Sequence, residues 1–213
     1  MEELDLLKKA WQKENYSSDQ VSEGEIYKML HQKSSSIVKW ILIISIIEFI
    51  FWNFITVFIT DDNYINKLKQ YGIENLMLIL NIVNYIIIIG FIIVFYKNYR
   101  SISITDATQQ LMKNILKTKK TVQNYIWYNL AMIAISIIIT LIMLFNHNPK
   151  MISLMDKEIS QGHHTYFICI CTLISILFII LIIGLFWLFY RLIYGILLKK
   201  LFANYKELKK IDL

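Results

Sequence analysis

Glu48 is the residue on which any chemistry in this chain would turn. It lies inside an apolar run, Ile37–Thr60, that is long enough to cross a bilayer as a helix. A carboxylate in hydrocarbon is costly, so it must be buried in a bundle, partnered or protonated. Counted from a span start near Val38, Glu48 falls close to the membrane midplane. Asn84 in the second apolar run, Ser136 in the third and Ser175 in the fourth fall at about the same depth. The expectation is one polar layer of Glu48, Asn84, Ser136 and Ser175. Such a layer could act as an ion or proton site. The structural alternative is a neutral glutamic acid hydrogen-bonded to Asn84, joining spans one and two. A third is a lipid-facing position that a homo-oligomer covers. Against transport, Glu48 is the only ionisable side chain deep in the apolar runs, whereas a proton relay uses several.

Other residue types offer less. His31 is separated by three apolar runs from His147, His163 and His164. His163 and His164 with Asp156 and Glu158 have no metal-ligand spacing, because adjacent residues diverge on a helix. Cys169 and Cys171 point to different faces of a helix and cannot bridge each other. There is no nucleophile elbow, no phosphate-binding glycine loop and no pair of carboxylates at a shared depth. The six glycines are scattered. No catalytic residue, cofactor or metal is expected, and the chain reads as non-enzymatic.

Four elements must position Glu48: the runs Ile37–Thr60, Asn75–Tyr96, Tyr125–Phe145 and Tyr166–Tyr190. Their flanks are unequal in charge. Of the 22 Lys and Arg residues, six lie before the first run or, as Lys39, in its first turn, six between runs two and three, and six after the fourth. The first connection holds only Lys67 and Lys69, the third only Lys150 and Lys157. The positive-inside rule then places both termini and the middle loop in the cytoplasm of a cell inner membrane. The net charge of +6 follows from this topology, with cationic flanks facing the anionic inner leaflet. No nucleic-acid-binding motif accompanies it, so the bilayer is the expected partner and nucleic acid is not. Trp40, Trp52, Trp127, Tyr128 and Tyr190 sit near span ends, as interfacial anchors do. Asn81 and Asn129 read as interhelical hydrogen-bonders.

The map is a cytosolic N-terminal segment and tether (1–36), four spans (37–60, 75–96, 125–145, 166–190), external loops (61–74, 146–165), a cytosolic helical loop (97–124) and an amphipathic C-terminal helix (191–213). Ser22 and Glu25 form a capping box that starts a helix with Ile26, Met29, Leu30 and Ile37 on its apolar face. Nothing breaks it before the membrane. Ser103 and Asp106 are placed as N-cap and N3 of a second long helix, with Leu111, Ile115 and Val122 on one side. Tyr194, Leu198, Leu201, Tyr205 and Leu208 make a heptad-like seam after the fourth span. Leu4, Leu7 and Trp11 form an apolar stripe that would dock on these helices or on a soluble partner. Residues 88–102 and 182–196 share I-I-G-x4-F-Y-[KR]-x4-I, read either as coincidence in Ile-rich sequence or as a duplicated two-span hairpin.

The stretch LDLLKKAWQ with EIYKMLHQKSSSIVKWILIISIIEF (within 4–49), and less strongly TDATQQLMKNILKTKKTVQNY (105–125), resembles a family of uncharacterised small multi-span proteins of Bacteroidota. Their genes often neighbour those of extracytoplasmic-function sigma factors. Some members carry a carotenoid-oxygenase label, but such iron enzymes need clustered histidines, which this chain does not have. The resemblance implies an anti-sigma-like role, with a sigma factor as the cytosolic partner of residues 1–36.

The sequence thus predicts an all-α, four-helix membrane bundle with cytosolic helix extensions. The expected function is a membrane-anchored regulatory or interaction protein. A small oligomeric transporter or channel built on the Glu48 layer is the alternative. Cysteines introduced at Ser18, Thr118 and Asp212 should resist an impermeant reagent in intact cells, while those at Asn63 and Gln161 react. Labelling of the middle loop from outside would overturn the topology.

Overall fold

The computed structural model describes residues 22–60, 62–105, 107–160 and 164–211. Among these there are six helices and no strand: α1 (Glu23–Ile59), α2 (Asp62–Gln70), α3 (Glu74–Ser103), α4 (Thr108–His147), α5 (Pro149–Ser160) and α6 (His164–Ile211). α1, α3, α4 and α6 are each long and apolar enough to cross a bilayer. They contain 37, 30, 40 and 48 residues. Their lengths run from about 45 to about 72 Å, against a hydrocarbon core of about 30 Å. Each therefore overshoots the membrane.

α1 packs on α3 and α6, and α4 packs on the same two helices from the opposite corner. Consecutive long helices run antiparallel, as short connections require. The result is a four-helix bundle with a basal end and a distal end. The basal end carries Ser22, the α3–α4 turn and Ile211; the distal end carries α2 and α5. Ile50, Val57, Phe58, Leu173 and Ile180 are each at least 60% exposed. A continuous apolar belt of this kind is stable only under lipid, which makes this a multi-pass membrane protein.

Local rules account for the ends. Ser22 Oγ accepts from the Glu25 amide and the Glu25 carboxylate accepts from the Ser22 amide, so the expected capping box starts α1. α2 stops in a Schellman turn. Gly72, at φ 68, donates to the Lys69 carbonyl and Ile73 donates to Leu68. Pro149 opens α5 at its first position, where its missing N–H has no consequence, and the Asn148 side chain caps the Lys150 amide at 3.0 Å. The two segments read as external loops thus each contain a helix. Ser103 is the last residue of α3, not a cap; α4 starts at Thr108 after an extended Ala107. The helix therefore starts beyond the sequence signal, and Asp106, expected at N3, lies outside the described residues.

Burial is confined to the basal half. Every buried hydrophobic residue lies at or below Ile41, Phe95, Leu130 and Tyr190 on its helix. The lower cluster joins Leu30 and Val38 of α1, Ile102 of α3, Leu111 and Ile115 of α4, and Leu201 and Leu208 of α6. The seam Tyr194, Leu198, Leu201, Tyr205 and Leu208 faces inward as expected, against the helix extensions. Met29 is an exception to the expected α1 stripe, at 45% exposed. Polar cross-links reinforce this stem. Asn204 donates to Ser34 Oγ at 3.1 Å, Asn98 to Thr121 Oγ1 at 3.3 Å, and His31 Nε2 lies 2.7 Å from the Ile102 carbonyl. Among the described residues no buried side-chain nitrogen or oxygen lacks a partner.

The internal repeat is not carried into the packing. Phe95 is buried and Tyr96 is 52% exposed, whereas at the matched positions Phe189 is 40% exposed and Tyr190 is 2% exposed. The inward face is shifted by one residue between the two helices. Leu4, Leu7 and Trp11 lie outside the described residues. Thr118 is fully buried, so labelling of the α3–α4 region must be read from the exposed neighbour Lys117.

Stability should follow the same division. Leu111→Ala or Leu201→Ala should each cost about 2–5 kcal/mol, the range for cavity-forming core truncations. Ile180→Ala on the lipid face should change stability by no more than about 0.5 kcal/mol. Thermal unfolding in one detergent checks this; equal sensitivity at the two sites would mean that the stem is not the stabilising core.

Candidate functional site

The Glu48 side chain is 7% exposed and is held by three tyrosines. Tyr190 Oη donates to Oε1 at 2.6 Å. Tyr194 Oη and Tyr125 Oη donate to Oε2 at 2.8 and 3.0 Å. Helix geometry explains the set. Tyr190 and Tyr194 are one turn apart and share a face of α6, while Tyr125 approaches from α4. Their rings pack on one another, Tyr125 against Tyr194 at 5.8 Å and Tyr190 against Tyr194 at 6.0 Å between centroids. Phe91 and Phe95 of α3 close against Tyr125 edge-on.

Three phenols solvate the carboxyl group without supplying a counter-charge. Each phenol has one proton to give, and all three are given to Glu48. Arg191 follows Tyr190 in the chain but turns outward, its guanidinium 4.9 Å over the Trp187 ring. Glu48 is therefore a buried acid held by hydrogen bonds and not by an ion pair.

The expected polar layer is brought together only in part: Glu48, Asn84 and Ser136 line one cavity, and Ser175 does not. Glu48 does not bond Asn84; Asn84 Oδ1 accepts from Tyr128 Oη at 3.0 Å. Ser136 lies about 16 Å further along α4 than Tyr125, and Ser175 about 22 Å along α6 from Tyr190. Ser175 donates to the Cys171 carbonyl of its own helix. The depth count assumed that all four spans begin at one level. In the folded bundle Glu48, well inside its own apolar run, meets Tyr125 and Tyr190 at the basal ends of theirs. Glu48 thus marks the boundary between the packed stem and the distal half.

Above it lies a cavity of about 580 Å³. Glu48, Tyr125 and Tyr190 form its floor; Asn84 and Ser136 line it, and Ser175 does not. It extends to Thr56 of α1, Tyr64 of α2 and Thr140 of α4. Helix lengths account for the space. α1 ends about 17 Å beyond Glu48, while α4 continues about 33 Å beyond Tyr125, so the distal half lacks one full-length wall. Trp52 is not simply an interfacial anchor: it stacks on Phe186 at 5.6 Å and lines the cavity. Asn129 bonds the Tyr125 carbonyl of its own helix, not a neighbour. Trp40 and Trp127 are exposed, as anchors should be. His147 packs on Tyr71 at 4.9 Å.

The three tyrosines are the site residues that sequence reasoning missed. Two of them, one turn apart at the start of a buried seam, carry hydroxyls that need an acceptor when buried. The chain offers one acidic acceptor in its apolar runs. Removing it should be worse than removing any one donor. Tyr125→Phe, Tyr190→Phe and Tyr194→Phe should each cost about 0.6–1.7 kcal/mol, the range for interhelical hydrogen bonds in membranes. Glu48→Leu strands three buried hydroxyls at about 1 kcal/mol or more each, and Glu48→Gln should fall between. Unfolding in detergent measures the series. A Glu48→Leu variant no less stable than the single phenylalanine variants would show that the carboxylate does not organise the site.

No curated protein and no solved structure matches the chain. A family model described as a domain of unknown function (DUF8845) matches residues 24–213, spanning all four long helices from the first turn of α1 onward, and the chain belongs to that family.

Proposed function

We propose that this is a non-enzymatic, membrane-anchored regulatory protein with both termini in the cytoplasm, whose basal stem is a cytosolic interaction platform. The single observation that carries the reading is continuity. α1, α3, α4 and α6 each run unbroken from the distal half into the stem, and the Glu48 carboxylate ties three of them together at the junction. A displacement of the helices around the cavity is thereby mechanically linked to the stem. The stem has a dry core at Leu30, Leu111, Leu201 and Leu208 and exposed lysines outside, among them Lys33, Lys113, Lys117, Lys200 and Lys209. That surface suits the anionic inner leaflet and a soluble partner with an acidic face. The family resemblance supplies a sigma factor as the candidate partner, with residues 1–20 as the docking element.

A small transporter or channel is the second reading, and the polar cavity favours it. Against it, Ile41, Phe95, Val122 and Tyr194 fill the bundle at and below Glu48 with no exposed area. Among the described residues no second carboxylate, histidine, lysine or arginine lines the cavity to relay a proton. Co-purification from native membranes with a C-terminal tag distinguishes the two. A soluble protein should be recovered in stoichiometric amount and lost when residues 1–20 are deleted, with membrane insertion unchanged. Recovery of the same soluble proteins with and without those residues would remove the anti-sigma reading.

A further inference from the structure

We propose that the cavity above Glu48 is a binding site for a lipophilic organic monocation, one positive charge carried on an aromatic or alkyl body. The inference goes beyond the regulatory reading and does not depend on the identity of any stem partner.

Charge comes first. Among the described residues the lining holds one carboxylate and no Lys, Arg or His. The carboxylate has about four lone-pair positions, three of them taken by the tyrosines, and Glu48 itself lines the cavity. A cation there meets a carboxyl group that is nine-tenths buried and whose hydrogen-bond partners are three tyrosines rather than a basic side chain. An anionic ligand would be repelled, and a neutral one would leave the charge as it is.

Size and surface then choose the kind of cation. A volume of about 580 Å³ falls in the range of small-molecule sites. It is far too wide to replace the hydration shell of an alkali ion with one carboxylate. Trp52, Phe186 and Tyr190 line the cavity beside Glu48 and offer π surface to a cation whose charge is spread over a bulky body. Asn81 and Asn84 contribute amides on the α3 side. A carboxylate floor, aromatic walls and no basic residue together describe a site for an amphipathic cation.

The probe is tetraphenylphosphonium, whose isostere tetraphenylborate has the same shape and the opposite charge. The full chain is placed in nanodiscs of zwitterionic lipid and binding of radiolabelled tetraphenylphosphonium is measured, with lipid-only discs as background. Saturable binding is expected, with tetraphenylborate displacing at least ten-fold more weakly than unlabelled tetraphenylphosphonium. Glu48→Gln should weaken binding at least ten-fold and Trp52→Ala several-fold. If Glu48→Gln does not fold, the isostere pair and Trp52→Ala decide. Equal displacement by the two isosteres, or unchanged affinity in a folded Glu48→Gln protein, would show the cavity to be an apolar gap filled by lipid and overturn the proposal. Loss of a stem partner in the co-purification would leave this result untouched, and absence of phosphonium binding would leave the stem reading untouched.

Discussion

The architecture depends on solvating one buried carboxylate. Taking Glu48 out of water carries a penalty that three separate hydrogen bonds must offset, and their donors come from two helices that are not sequence neighbours of α1. Hydrogen bonds to an ionised acceptor are about twice as strong as neutral ones, and this set is also directional. Rotating α1 by one residue, or sliding it by one turn, would withdraw the oxygens from Tyr125, Tyr190 and Tyr194 together. Leucines at this level would tolerate such slips with modest repacking. The polar cage therefore fixes register where packing alone would leave it loose.

The same point divides the molecule into two physical regimes. Below Glu48 the helices project past the membrane thickness, and water drives Leu30, Leu111, Leu201 and Leu208 together. Above it, lipid is as apolar as the side chains, so burial of isoleucine against isoleucine gains little. What remains there is shape and scattered hydrogen bonds such as Tyr128 to Asn84. A cavity of this size would collapse or be filled in a water-soluble core. In the distal half it persists because no strong force closes it and the stem already holds the helices in place.

Much of the fold was legible in the sequence. Run length marked the four long helices, and the Ser22–Glu25 box marked the start of α1. The spacing of Tyr194, Leu198, Leu201, Tyr205 and Leu208 marked the inward face of the stem. The failures share one cause: hydropathy marks where a run begins, not where it sits relative to the others. Counting from run starts put Glu48 level with Asn84, Ser136 and Ser175; Asn84 does share its level, since Phe49 and Tyr85 meet at 5.9 Å, whereas α4 and α6 are staggered against α1 and meet Glu48 at the basal ends of their runs. The tyrosines were visible but read individually, Tyr190 as an anchor and Tyr194 as a seam residue. Their shared need for an acceptor, combined with the scarcity of acceptors, was the overlooked signal. Asp62–Gln70 and Pro149–Ser160 were missed as helices because short polar segments between spans carry no apolar period long enough to register.

The stagger of α1 also explains why acid and cavity coincide. A carboxylate placed at the middle of four equal spans would be packed on every side, and the helices would have to close over it. Because α1 is staggered against α4 and α6, it walls the cavity through Phe49, Trp52 and Thr56 and then ends at Ile59 while α4 continues to His147. The displacement is held by the three tyrosine hydrogen bonds. One interaction therefore both locks the stem and sets the space next to a buried carboxyl group whose partners are three tyrosines. Whatever enters that space is felt first at Glu48, the point through which α1, α4 and α6 are joined to the stem.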